Sequence, residues 1–193
     1  MENTDIKLIT RDDLDDILAI SGESFPAEYN VTKANLMQKL IDDADKFDEG
    51  SLIIREAISG KPIGFIGTKI SHSELYPDTG WISIVAVARD YRRNGYGRLL
   101  VSKALEALHS EGVKRVSVGQ EFHNFFSGIP NPNDENMGFF NALGFAVNEG
   151  SHYDLEAVIT DNTYIESFDN SGFVGEFEVK TYNDDYDELM KFL

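Results

Sequence analysis

Arg92, Arg93 and Arg98 stand around the pair Gly95 and Gly97, a grouping whose chemistry suits a pyrophosphate. The run Trp81 to Ala88 before them reads as a strand, and an amphipathic helix opens after Gly97. A tight turn of this kind, in which Asn94 and Tyr96 complete the loop, aims consecutive backbone N–H groups at one spot. The helix N-terminus adds partial positive charge there. Neither glycine carries a Cβ, so the backbone is free to approach a ligand closely. The three arginines bring full positive charge to a chain whose net charge is −17.

Elements on both sides must hold this loop in place. Ile6 to Ile9 alternates as a strand, and Thr10 with Asp13 forms a capping box that opens a helix through Ile20. Leu14, Ile17, Leu18 and Ile20 supply its apolar stripe. A second helix is expected from Thr32 to Ile41. Strands at Ser51 to Ile58 and Ile63 to Ile70 flank Ser59-Gly60-Lys61-Pro62, a hairpin turn signal. The helix after Gly97 presents Leu99, Leu100, Ala104, Leu105 and Leu108 on one face and ends near Gly112. A strand follows at Arg115 to Glu121, then a helix at Asn133 to Leu143 that closes on Gly144. Phe145 to Val147 and Tyr153 to Ile159 read as the last strands.

Composition narrows the function further. The 193 residues suit one domain with an appendage, and 41% hydrophobic content with 13 Phe and 8 Tyr is enough for a substantial core. There is no apolar run of about 18 residues, and Met1 to Asp5 lacks a signal-peptide pattern. The expectation is a cytoplasmic protein without a membrane partner. The absence of cysteine rules out disulfides, thiolate metal sites and a cysteine nucleophile, and no metal is expected. Strong acidity argues against nucleic-acid binding, which needs a basic surface to displace counterions. It would attract cationic partners, amines included, or serve solubility alone.

Arg92-x-x-Gly95-x-Gly97 resembles the acetyl-CoA loop of the GNAT superfamily of N-acetyltransferases, whose pattern is Arg/Gln-x-x-Gly-x-Gly/Ala. Two other phosphate motifs do not fit: Leu100 occupies the place of the third glycine of a dinucleotide fingerprint, and the Gly-Lys-Ser/Thr of a P-loop is missing. The order β-α-α-β-β-β-α-β-α-β-β over Ile6 to Ile159 is similar to the GNAT fold. That is an α/β (α+β) architecture, a mixed twisted central sheet with helices on both faces. Asn133 to Phe145 is similar to the family's Asn-x-x-Ala-x-x-x-Tyr-x-x-x-Gly-Phe helix.

The resemblance implies acetyl-CoA as co-substrate and transfer of its acetyl group to an amine, on a small molecule or a peptide. It implies that the strands Trp81–Ala88 and Arg115–Glu121 splay apart. The pantetheine arm would then pair with the backbone of Val85, Ala86 and Val87 as an extra strand, and an N–H near Val85 would face the thioester carbonyl. The cofactor set is completed by Arg92, Arg93, Asn94, Gly95, Tyr96, Gly97, Arg98, Asn133 and Phe140. Asn133 has a helix N-cap as its alternative role. Phe140 stands where many members carry a proton-donating tyrosine, and the strand before the loop offers no glutamate in its last six residues, only Ser83. Glu121 and His123 are therefore the candidates for general base, with Glu74 and Asp78 behind them. Phe122 to Pro132 is expected to wall the acceptor pocket, or else to form a small core of its own. The departures also admit an alternative, a catalytically silent acyl-CoA-binding or scaffolding domain.

The tail divides the expected domains at residue 160. Asp161 to Leu193 holds 9 acidic and 2 basic residues. Phe177 to Leu193 echoes the N-terminal strand, acidic cap and helix, so residues 161–193 are expected to be a linker and the start of a second domain of a tandem protein, or a C-terminal extension. The tail is expected to pack on its own domain or on a second copy as a homodimer contact.

Overall fold

The computed structural model describes residues 3–121, 123–126, 128–129 and 134–146, all within one unit spanning Met1–His152. Its strands are β1 (Thr4–Leu8), β2 (Leu52–Glu56), β3 (Pro62–Ile70), β4 (Thr79–Val87) and β5 (Arg115–Val118). Its α-helices are α1 (Leu14–Ser24), α2 (Lys33–Leu40), α3 (Tyr96–Ser110) and α4 (Asp134–Asn141). The strands form one sheet in the order β1-β2-β3-β4-β5, antiparallel except for the parallel pair β4 and β5. A parallel pair needs a crossover, and α3 supplies it. Phe145 and Ala146, expected to open a strand, are irregular; Asn133, Val147, the strand at Tyr153 to Ile159, and the tail with its domain boundary lie outside the described residues.

Both capping boxes form. Thr10 donates its N–H and hydroxyl to Asp13 Oδ2, each at 2.8 Å, and Thr32 exchanges bonds with Asn35. After Thr10 the first turn is 3-10, and the α-helix begins at Leu14. Leu14, Ile17 and Ile20 of α1 and Leu36 and Leu40 of α2 bury against Ile53, Phe65, Ile84 and Ala86 on one sheet face. Leu100, Val101 and Ala104 of α3 bury against Leu52, Ile54, Ile66 and Ile82 on the other. Helices on both faces follow from this, because a sheet with two apolar faces must cover each.

Of the boundaries that differ from the sequence reading, two bear on the site. α3 starts at Tyr96, not after Gly97: Gly95, at φ +85°, is the N-cap, which places Gly97 inside the first turn. β5 ends at Val118, short of Glu121, because Gly119 (φ +69°) and Gln120 (φ +64°) turn the chain out of the extended region. A Cβ on Gly119 would stand 2.7 Å from Phe126 O and 2.9 Å from Gly128 N, so the following loop closes directly onto this turn.

Candidate active site

The site originates in one extra residue. The pairing of β3 with β4 jumps from Gly67↔Ile84 to Thr68↔Ile82, which leaves Ser83 as a bulge. A bulge reverses the alternation on its strand. Beyond it, Ala88 N donates to Ile63 O at 2.8 Å, so Ala88, Ala86 and Ile84 direct their main-chain groups toward β3. Before it, Ile82 O turns the other way and accepts from Gly119 N at 2.9 Å. Val85 and Val87 therefore direct their N–H and C=O groups away from β3, toward the edge where β5 has already ended. The two parallel strands separate at this point, and an open edge is a template for an extended ligand.

The arginine loop sits at the end of that edge. Arg92 is occupied within the fold: Nε donates to Val87 O at 2.9 Å, and the guanidinium also reaches Glu23 O (3.2 Å) and Ser24 Oγ (3.0 Å) at the end of α1. Asn94 Nδ2 donates to the carbonyls of Tyr91 and Arg92. These bonds fix the shape of the loop. They leave Val85 N–H and C=O and Val87 N–H on the open edge. Among the described residues no side chain caps α3, so the N–H groups of Tyr96, Gly97 and Arg98 are orphans of the helix start. Arg93 and Arg98 are exposed around them. The donor set thus fits an acyl-CoA: orphan N–H groups and arginines for its pyrophosphate, and a strand edge for its amide-bearing arm.

The two glycines have different duties. Nothing lies within 4 Å of a Cβ on Gly95, whose need is the left-handed backbone. A Cβ on Gly97 would meet the Phe139 ring at 3.3 Å, so this glycine admits α4 against the first turn of α3. Phe140 is buried and packs edge-on against Phe139 (5.0 Å between centroids) and Phe145 (5.6 Å).

Glu121 lies where the strands part. Its side chain is fully buried, and neither carboxylate oxygen has a hydrogen-bond partner among the described residues. The Ser83 hydroxyl is beside it but outside hydrogen-bonding geometry, and it too is unpartnered. Burial pushes the Glu121 carboxyl above the ordinary glutamate range, a rise restrained first by its own nearby backbone N–H and then by the Lys69 ammonium. His123 has the opposite setting, exposed and at φ +53°. Glu74 and Asp78 are exposed as well. Phe126 is buried against Phe25 (5.1 Å) and Tyr29 (5.3 Å), so the described part of the Phe122 to Pro132 loop anchors a small aromatic core over α1. The reading from sequence missed Lys69 and Asp43, which meet Glu121 only through the fold. A lysine on an otherwise apolar strand was the available signal.

The sequence profile of the acetyltransferase (GNAT) family matches residues 14–145. No curated protein matches by sequence. Among solved structures, the chain is similar to the ribosomal-protein-S18-alanine N-acetyltransferase of Escherichia coli, with 19% identity over 77% of this chain and 79% of that one and a TM-score of 0.57. It is similar to the aminoglycoside antibiotic 6'-N-acetyltransferase of Acinetobacter baumannii, with 18% identity, 80% and 99% coverage and a TM-score of 0.58. The glucosamine N-acetyltransferase region of a fungal multi-domain β-N-acetylglucosaminidase matches at 22% identity and a TM-score of 0.68, over 76% of this chain and 17% of that protein. These likenesses agree with the mixed sheet, its helices and the parted strands. With two thirds of its length matched by the family profile, this chain belongs to the acetyltransferase (GNAT) family and is an acyltransferase.

Proposed function

We propose that the chain transfers an acetyl group from acetyl-CoA to a primary amine, with Glu121 as the general base. The observation that carries this reading is the juxtaposition of an open β4 edge, an uncapped α3 N-terminus and a buried, unpartnered carboxylate where β4 and β5 separate. Bound acetyl-CoA would supply an acetyl group activated as a thioester. Tyr96, Gly97 and Arg98 would hold its pyrophosphate by their N–H groups, with the charges of Arg93 and Arg98 beside them. Val85 and Val87 would align the arm, and the Val85 N–H would stabilise negative charge as it develops on the acyl oxygen. Holding both reactants side by side could lower the barrier by roughly 7–11 kcal/mol in the best cases.

Glu121 is suited to take a proton from an acceptor amine because its raised proton affinity brings it closer to the operating pH. Phe140 supplies no proton, so returning one falls to Glu121 or to water. His123, exposed near the same loop, is the second candidate for the base. The amine class is supported by the similar proteins, N-acetyltransferases whose acceptors are a protein alanine, a glucosamine and an aminoglycoside.

Calorimetry with acetyl-CoA, followed by a thiol-release assay over a panel of amines, tests the proposal. Binding and turnover, the latter strongly reduced in Glu121→Gln, are expected. The aromatic packing of Phe140 favours a second reading, a silent acyl-CoA-binding domain, and binding without turnover on any amine would select it. No binding at millimolar concentration would sink both.

A further inference from the structure

Lys69 lies on β3 opposite Trp81 of β4, and its side chain is 1% exposed. Lysine is almost never buried so fully without a partner. Its Nζ donates to Asp43 Oδ2 at 2.8 Å and stands 4.0 Å from Glu121 Oε1. Asp43, whose side chain is 6% exposed, also accepts from Asp45 N at 2.9 Å, whereas Glu121 accepts from no described group. One ammonium thus stands in the field of two carboxylates and, of the two, donates to Asp43. The groups arrive from three segments: the turn after α2, the middle of the sheet, and the exit of β5. Lys39 on α2 is the fourth charge within their reach.

We propose that Lys69, tethered by Asp43, is a positioning residue that controls how tightly Glu121 holds its proton. The inference extends the reading of Glu121 as base, but its measurement does not depend on turnover. The Lys69 charge favours ionised Glu121 across 4.0 Å, and the Asp43 charge cancels part of that field. The Asp43 hydrogen bond also keeps the ammonium from closing onto Glu121. Asp43 itself is lowered on balance: burial works against its ionisation, and the hydrogen bonds from Lys69 and the Asp45 N–H overcome it. Lys39 is lowered by its own burial and then by repulsion from Lys69.

Control of this kind makes the two halves of one ion pair act with opposite sign. In Asp43→Asn the lysine loses this hydrogen bond and its countercharge, and Glu121 becomes the more acidic. In Lys69→Met the carboxylate loses the cation 4.0 Å away while Asp43 remains, and Glu121 becomes the less acidic. The experiment is a ¹³C NMR titration of the glutamate carboxyl carbons in the full chain, with the Glu121 signal identified by its loss in Glu121→Gln. Its midpoint is expected to fall by about one pH unit or more in Asp43→Asn and to rise by a similar amount in Lys69→Met. Shifts of the same sign in both variants, or none, would overturn the proposal. Should Lys69→Met not fold, Asp43→Asn decides alone, and an unchanged or higher midpoint there rejects the assignment. The acid limb of kcat/KM against pH separates the two readings. Midpoints that move as stated while that limb stays fixed would support control by Lys69 and remove Glu121 as the base.

Discussion

Glu121 carries a stability cost that its proposed role explains. Below the ordinary glutamate value of 4.5 the carboxyl is protonated whether the chain is folded or not. As the pH rises from there toward the higher folded value, the unfolded chain ionises first and the folded state loses stability. Glu121→Gln should therefore raise the melting temperature at neutral pH, with a gain that shrinks toward pH 4. A gain that is independent of pH would mean that the carboxyl is not perturbed. Asp13 has the opposite sign. Burial opposes its charge, but Arg55 at 2.7 Å and Thr10 hold the carboxyl below its ordinary 3.8. Its contribution is present above that value and is lost as the pH falls through the lower folded one. Asp13→Asn should cost about 1–2 kcal/mol in a denaturant titration at pH 7, because Asp16, 2.6 Å from Arg55, remains as a partial substitute. The difference from the unaltered chain should fade below pH 4.

At the scale of the elements, the bulge and the two glycines decide whether the cleft exists. Deleting Ser83 would make Ile82 and Ile84 successive residues of a regular ladder, still facing opposite cores, and would remove the local bend and twist that the bulge gives β4. The expected result is retained cooperative thermal unfolding, followed by circular dichroism, with acetyl-CoA affinity reduced in calorimetry. Gly95→Val and Gly97→Val should both destabilise, for different reasons. The first strains a backbone at φ +85° by about 1–2 kcal/mol; the second crowds the Phe139 ring. Adding Phe139→Ala should recover part of the loss for Gly97→Val and none for Gly95→Val. Equal behaviour of the two pairs in a double-mutant cycle would contradict the packing described.

At the scale of the whole molecule, among the described residues no helix is long and apolar enough to cross a membrane. Every residue assigned to acetyl-CoA precedes residue 141. Truncation after Thr160 is therefore expected to leave acetyl-CoA affinity nearly unchanged, measured by calorimetry, while changing solubility or oligomeric state. Global unfolding on truncation would instead make residues 161–193 part of the same folding unit and remove the tandem-domain expectation.

The sequence by itself determined the parts that depend on local periodicity and turn chemistry. The capping box at Thr10, the stripes of α1 and α3, and the glycine-arginine loop were legible because each signal lies within a few residues. Its alternating and apolar runs also specified the strands and the helices that cover both sheet faces. Only the tertiary structure decided the rest. That Ser83 is a bulge depends on which residue of β3 faces it, and that β5 stops at Val118 depends on a loop closing over Gly119. That Arg92 also braces β4 against α1 depends on the fold, because its carbonyl partners come from Val87 and Glu23. Asp43, Lys69, Ser83 and Glu121 lie far apart along the chain. Their shared, water-excluded setting, and with it the altered proton affinity of Glu121, arises only when the sheet and α2 bring them together.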